Sequence, residues 1–183
     1  MRLNLRVRRY DLELLGERSR EISYGKIAHQ ALYFLPPLPR DYQRKELSQA
    51  VKLALKRALA LFDPRFREDF WETEKRLSKI LTKALLLKEV RSYFEEGVEV
   101  FKEIEVHDQK GKLHRIDRLV ITSHGPVVIE YKLGGRRRSH EKQVSLYQEI
   151  LRSIFGKRPK GFLFYLEEPA FLDIDHLKQR ALL

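Results

Sequence analysis

The 183-residue chain contains no cysteine, which excludes disulfides, thiolate nucleophiles, zinc–thiolate centres and iron–sulfur clusters. A metal bound here would have to rest on His, Asp, Glu, carbonyl or water. No apolar run approaches the roughly 18 residues of a membrane-spanning helix, and the opening "MRLNLRVRRY" lacks the apolar core of a signal peptide. The expected location is therefore cytoplasmic, with no membrane partner. Nine Gly and seven Pro are too few for a collagen-like or low-complexity chain. There is no G-x-x-x-x-G-K-[ST] phosphate loop, so no ATP motor of that type and no nucleotide cofactor are expected. A single Asn and a single Met, against many Lys, Arg and Glu, lean toward a heat-adapted source.

What is abundant is positive charge. Lys and Arg number 37 against 26 Asp and Glu, a net +11, which favours a polyanionic partner because each cation that neutralises a phosphate releases a counterion. With 43% hydrophobic residues the chain can bury a core of its own, and a single domain over 1–183 is expected.

Hydrophobic periodicity predicts the element order. Leu3, Leu5 and Val7 alternate with polar residues as a short strand; Ile27, Ala31 and Phe34 recur at helical spacing up to "PPLP", placing His29 on a helix that stops near Leu35. Helical stripes then cover 41–62, ended by Asp63-Pro64, and about Arg65 to Glu95. From Val98 the period becomes two: "VEVFKEIEV" is a strand, Lys110-Gly111 a turn, and "RIDRLVITSHGPVVIEYKLG" (115–134) a hairpin. "SHEKQVSLYQEILRSIFG" returns to helix, with Ser139 expected at its N-cap and Gly156 at its C-terminal end. "KGFLFYLEE" is one more strand, and 173–182 a last helix.

The hairpin carries three charges among its aliphatics. With a two-residue loop at His124-Gly125, Ser123 opposes Pro126, Leu119 faces Glu130 and Asp117 faces Lys132. Asp117, Glu130 and Lys132 then share one face, and Ile116, Val120, Val127, Ile129 and Tyr131 the other. On that register Asp117 and Glu130 are diagonal neighbours about 7 Å apart at Cβ. Their repulsion is about 2 kcal/mol at an effective dielectric near 20, and a bridging divalent cation would compensate it. The plainer alternative is a solvent-facing polar side with an Asp117–Lys132 cross-strand pair. A three-residue loop would change the parity.

An acidic residue followed about a dozen residues later by [D/E]-x-K on the next strand resembles the PD-(D/E)XK nuclease superfamily. Four features are similar to its RecB-type branch, the nuclease module of helicase–nucleases and related exonucleases. They are "YGKIAHQAL" with Gly25 and His29, "VFKEIEV" with Glu103, "IEYKLG" with Glu130, Tyr131 and Lys132, and "QVSLYQEIL" with Gln143 and Tyr147. The chain departs from the branch at His114, where Gly is usual, and at Glu130, where Asp is commoner.

The resemblance implies an α/β, restriction-endonuclease-like core: a small mixed sheet flanked by helices, with a helical insertion at about 41–96. It also implies a Mg²⁺- or Mn²⁺-dependent deoxyribonuclease of DNA repair and recombination, expected to be an exonuclease on single-stranded DNA or duplex ends, with a helicase domain or subunit as a further partner. His29, Asp117, Glu130 and the carbonyl of Tyr131 would hold the metal, and Lys132 would orient the attacking water. Gln143 and Tyr147 would position DNA, Glu103 would be an accessory acid, and Arg136, Arg137 and Arg138 would grip phosphates. His107, His114, His124, His140 and His176 match no motif and are expected on the surface or in loops. A DNA-binding module that has lost cleavage, and a structure-specific endonuclease of the same superfamily, are the alternatives.

Overall fold

The computed structural model describes residues 24–61 and 70–180, the side chains of 178–180 excepted. The expected strand at Leu3–Val7 and the stop at Asp63-Pro64 lie outside the described residues.

Helix α1 (Tyr24–Phe34) buries Ile27, Ala28, Ala31 and Leu32 and ends, as the Pro-rich run dictates, before Leu35. Helix α2 (Arg44–Leu59) starts where the backbone N–H of Gln43 donates to the Glu46 carboxylate at 2.9 Å, satisfying one of the free N–H groups of its first turn. The expected single tract from Arg65 to Glu95 is instead broken. Helix α3 (Phe70–Leu85) stops and a four-residue helix α4 (Lys88–Arg91) follows. Leu85, Val90 and Phe94 are all buried, so the apolar pattern continues through a change of direction that periodicity alone does not reveal.

Five strands follow: β1 (Glu99–His107), β2 (Leu113–Thr122), β3 (Gly125–Lys132), β4 (Lys160–Tyr165) and β5 (Ala170–Asp173), in spatial order β1-β2-β3-β4-β5. All neighbours are antiparallel except β3 and β4, whose parallel pairing requires the crossover helix α5 (Arg138–Phe155). β5, which the sequence reading did not anticipate, is four residues long and pairs with β4; α6 (Ile174–Arg180) follows at once. Helix α5 begins one residue before the expected cap, with Arg137 as N-cap and Ser139 inside the first turn; Gly156 closes it at φ 67°, the left-handed conformation that glycine tolerates. No helix among the described residues is long and apolar enough to cross a membrane.

The sheet separates two cores. One packs α1, α2 and α3 against Val120, Val127, Ile129, Tyr131 and Phe164; the other packs Val144, Tyr147 and Leu151 of α5 against Leu119, Val128, Leu163 and Tyr165. This is the mixed, helix-flanked sheet expected of a restriction-endonuclease-like fold.

Two details of register differ from expectation. Thr122 pairs with Gly125, so the loop is Ser123-His124, with Gly125 itself at φ 118°. The displacement is an even number of positions, and side chains within the ladder, Arg118–Thr122 and Gly125–Ile129, therefore keep their faces. The second difference lies between β1 and β2, whose ladder omits the Glu103–Asp117 pair, where Glu103 takes φ 51°. Alternation resets there: Phe101 packs with the α5 core, and so do Ile104 and Ile116. Ile116 thus leaves the face it was expected to share with Val120.

Candidate active site

The break at Asp117 places a carboxylate where strand pairing stops. The last β2–β3 pair is Arg118 with Ile129, and beyond it the Tyr131 N–H donates to Asp117 Oδ2 at 2.8 Å instead of to a β2 carbonyl. A side chain has replaced a ladder bond. The other carboxylate oxygen, Oδ1, lies 3.2 Å from Nδ1 of His29, which α1 delivers from the opposite layer, and the His29 ring meets the Tyr131 ring edge-on at 5.7 Å. The Gly25/His29 helix and the hairpin therefore converge.

Glu130 and Lys132 stand one residue either side of Tyr131 and point to the α5 side. Lys132 Nζ is 2.8 Å from Glu130 Oε1 and donates to Gln143 Oε1 at 3.0 Å; Gln143 Nε2 donates to the same Glu130 oxygen at 2.8 Å. Gln143 also reaches the Tyr147 hydroxyl at 2.7 Å, and that hydroxyl donates to the Arg115 carbonyl at 3.0 Å. Gln143 and Tyr147 face the same way because they are one helical turn apart. Tyr147 is also core, packed beside Val144 and Leu151, and burial pushes its hydroxyl up to about 12. The ion pair Lys132 makes is thus with Glu130 on its own strand, not with Asp117 across the hairpin.

Burial is the largest single influence on both Glu130 and His29. Glu130 is 3% exposed, and its Oε2 is buried without a hydrogen-bond partner. Burial, and then the charge of Asp117, push its carboxyl up to about 8 despite Lys132. Burial pulls the His29 imidazole down, but the hydrogen bond and charge of Asp117 outweigh it and leave the group above 6.5. An unpaired buried carboxylate oxygen costs about 1–3 kcal/mol or more, and so calls for an explanation.

The remaining expected residues fall into two groups. Arg136, Arg137 and Arg138 are exposed around the start of α5, with the Arg136 guanidinium 5.8 Å from the centre of the Tyr165 ring. Glu103 faces Arg115 at 3.4 Å. Two of the histidines expected on the surface or in loops are half-buried and make specific contacts. His114 lies within β2, pairs with Asp108 at 3.0 Å and meets the Tyr147 ring at 6.2 Å; His140 sits in the first turn of α5, 3.0 Å from the Tyr165 hydroxyl. The sequence offered one signal for His140, its position one turn before Gln143, and none for Asp108, which a turn brings back to His114.

A family model described as the PD-(D/E)XK nuclease superfamily matches residues 2–179. The chain belongs to that superfamily. No curated protein matches it. For a PD-(D/E)XK chain the arrangement carries a chemical expectation, since the superfamily implies nuclease activity on DNA with a divalent metal, typically Mg²⁺. The donor set fits a hard cation: imidazole and carboxylates without thiolate, and one buried carboxylate oxygen left over. Among the described residues no three His, Asp or Glu groups gather tightly enough to hold an ion by themselves. Main-chain carbonyl, water or phosphate oxygens would have to complete the shell.

Proposed function

We propose that this PD-(D/E)XK chain hydrolyses DNA phosphodiesters at the His29–Asp117–Glu130–Lys132 cluster, and that it is of the RecB type, an exonuclease on single-stranded DNA working alone or as the nuclease module of a helicase–nuclease. The whole chain would act as one nuclease domain. The observation that carries the reading is Glu130, a buried acid with an unpartnered oxygen and a lysine ammonium 2.8 Å from its other oxygen.

His29, Asp117, Glu130 and the Tyr131 carbonyl would hold Mg²⁺ or Mn²⁺, which when bound polarises the scissile phosphate and acidifies water. Lys132 exchanges its bond to Glu130 for the attacking water and for charge developing on the phosphoryl oxygens. As the water oxygen bonds to phosphorus it gives up a proton to solvent, the bond to the leaving sugar oxygen breaks, and that oxygen takes a proton from solvent. Gln143 keeps the Lys132 ammonium aimed while that exchange occurs, and Tyr147 holds Gln143. Glu103, paired with Arg115, is an accessory acid at the margin, and Arg136 to Arg138 meet flanking phosphates.

The second reading is a module that binds DNA without cutting it, and the presence of His29, Asp117, Glu130 and Lys132 together argues against it. One assay separates the two: Mg²⁺-dependent degradation of end-labelled single-stranded oligonucleotides. Wild type should cleave, and Lys132→Ala should lose about 10²–10³-fold in kcat. Equal rates in both proteins refute the mechanism, and binding without cleavage establishes the second reading. Nicking of a closed circular duplex would instead indicate an endonuclease.

A further inference from the structure

Lys102 reads in the sequence as an unremarkable β1 lysine, yet its ammonium donates to the carbonyls of Tyr33 at 2.9 Å and Leu35 at 2.6 Å. These lie at and just beyond the end of α1. The last carbonyls of a helix lack intrahelical partners and carry partial negative charge, so a cation there is favoured. Lys102 also pairs in register with Arg118, the neighbour of Asp117, and Arg118 in turn donates to the Tyr93 carbonyl at 2.8 Å while its guanidinium stacks on Phe94. Two cations side by side on a mostly buried face repel each other. Burial, then Arg118, push the Lys102 ammonium down to about 8. An aliphatic residue at this site would avoid both penalties and pack into the adjoining core.

The cation ties α1 to the sheet beside the Asp117 break. His29 lies at the middle of α1, four positions before Tyr33, so the carbonyl of Tyr33 that Lys102 holds is about one helical turn from it. The His29–Asp117 contact is 3.2 Å, at the long limit of about 3.2 Å for an N–H···O bond, so an outward slip of a few tenths of an ångström breaks it.

We propose that Lys102 is a positioning residue of the site: by gripping the C-terminal carbonyls of α1 it fixes how closely His29 stands to Asp117, and through them the affinity for a divalent cation. This rests on the reading of His29 and Asp117 as cation ligands. Lys102 touches neither substrate nor cation, and its effect runs through the helix.

The test compares Lys102→Met and Lys102→Arg with wild type in two ways, by Mn²⁺ calorimetry and by the hydrogen-bonded Nδ1 proton of His29 in the NMR spectrum of the metal-free protein. Urea unfolding confirms that each variant is folded. In Lys102→Met the proton signal should vanish and Mn²⁺ affinity should fall about 10–100-fold, the usual effect of losing a group that orients a ligand. Lys102→Arg should restore both. Combining Lys102→Met with His29→Ala should weaken Mn²⁺ binding no further than His29→Ala alone, a non-additivity that general destabilisation does not produce. If methionine prevents folding, Lys102→Gln supplies the same readings. Signal and affinity both unchanged in a folded variant overturn the proposal. A wild type that binds no Mn²⁺, but whose signal still depends on Lys102, refutes the cation reading alone and leaves the Lys102–His29 coupling supported.

Discussion

His29 and Asp117, 88 positions apart in sequence, meet with Nδ1 and Oδ1 3.2 Å apart, while the second Asp117 oxygen accepts the Tyr131 N–H. One carboxylate therefore holds both the helix and the strand beside Glu130. Asp117→Asn keeps the shape and one acceptor oxygen but loses the charge. It should remain folded with near-wild-type urea stability and lose about 10²-fold or more in Mg²⁺-dependent kcat. A variant that cleaves as fast as wild type would remove Asp117 from the site.

Cation binding should be coupled to proton release through Glu130. The unfolded chain holds this carboxyl near 4.5 and the metal-free folded chain near 8, so between those limits the native state carries the extra proton. The stability of the metal-free protein should then fall as pH rises across that window, and Glu130→Gln should flatten the fall. Mn²⁺ must displace the proton, so its affinity should climb with pH and level off above about 8. Calorimetry at pH 7 in buffers of different ionisation enthalpy, on wild type and on Glu130→Gln, would separate the Glu130 proton from any that His29 releases. A binding enthalpy independent of buffer contradicts the assignment.

Gly161 on β4 is required by packing rather than by dihedral. A Cβ there would stand 2.7 Å from Val144 Cγ1 and 2.8 Å from Gln148 Cδ, both on the buried face of α5. Gly161→Ala should therefore cost about 1–3 kcal/mol, read as a lowered urea midpoint with unchanged slope. Because α5 also carries Gln143, kcat should drop as well, and an unaltered midpoint would refute the close approach.

The exposed Arg136, Arg137 and Arg138 lead into the helix that touches Lys132. If all three meet phosphates, replacing them with Ala should lower the slope of log affinity against log salt for single-stranded DNA by about 2. The measurement is oligonucleotide binding in Ca²⁺ at several salt concentrations. An unchanged slope would mark the run as solvated charge.

Much of the site was legible because its chemistry is local in sequence. Glu130, Tyr131 and Lys132 are consecutive on β3, so period two alone assigns their faces, and placing the hairpin loop one residue late shifted the pairing by two and left those faces intact. Gln143 and Tyr147 were legible for the same reason, since helical period puts them on one side of α5. The single helix expected from Arg65 to Glu95 failed because an apolar stripe persists when a helix stops and turns.

The sequence by itself determined which residue types could do chemistry, which side of β3 Glu130 and Lys132 share and which side of α5 Gln143 and Tyr147 share, and, through the absence of cysteine, that no metal ligand is a thiolate. Only the tertiary structure decided how they meet. The positive φ of Glu103, the ladder bond surrendered at Asp117 and the grip of Lys102 on α1 each join segments far apart in the chain. Periodicity carries no information about such contacts, because their free energy comes from burial and hydrogen bonds that exist only once the layers have packed.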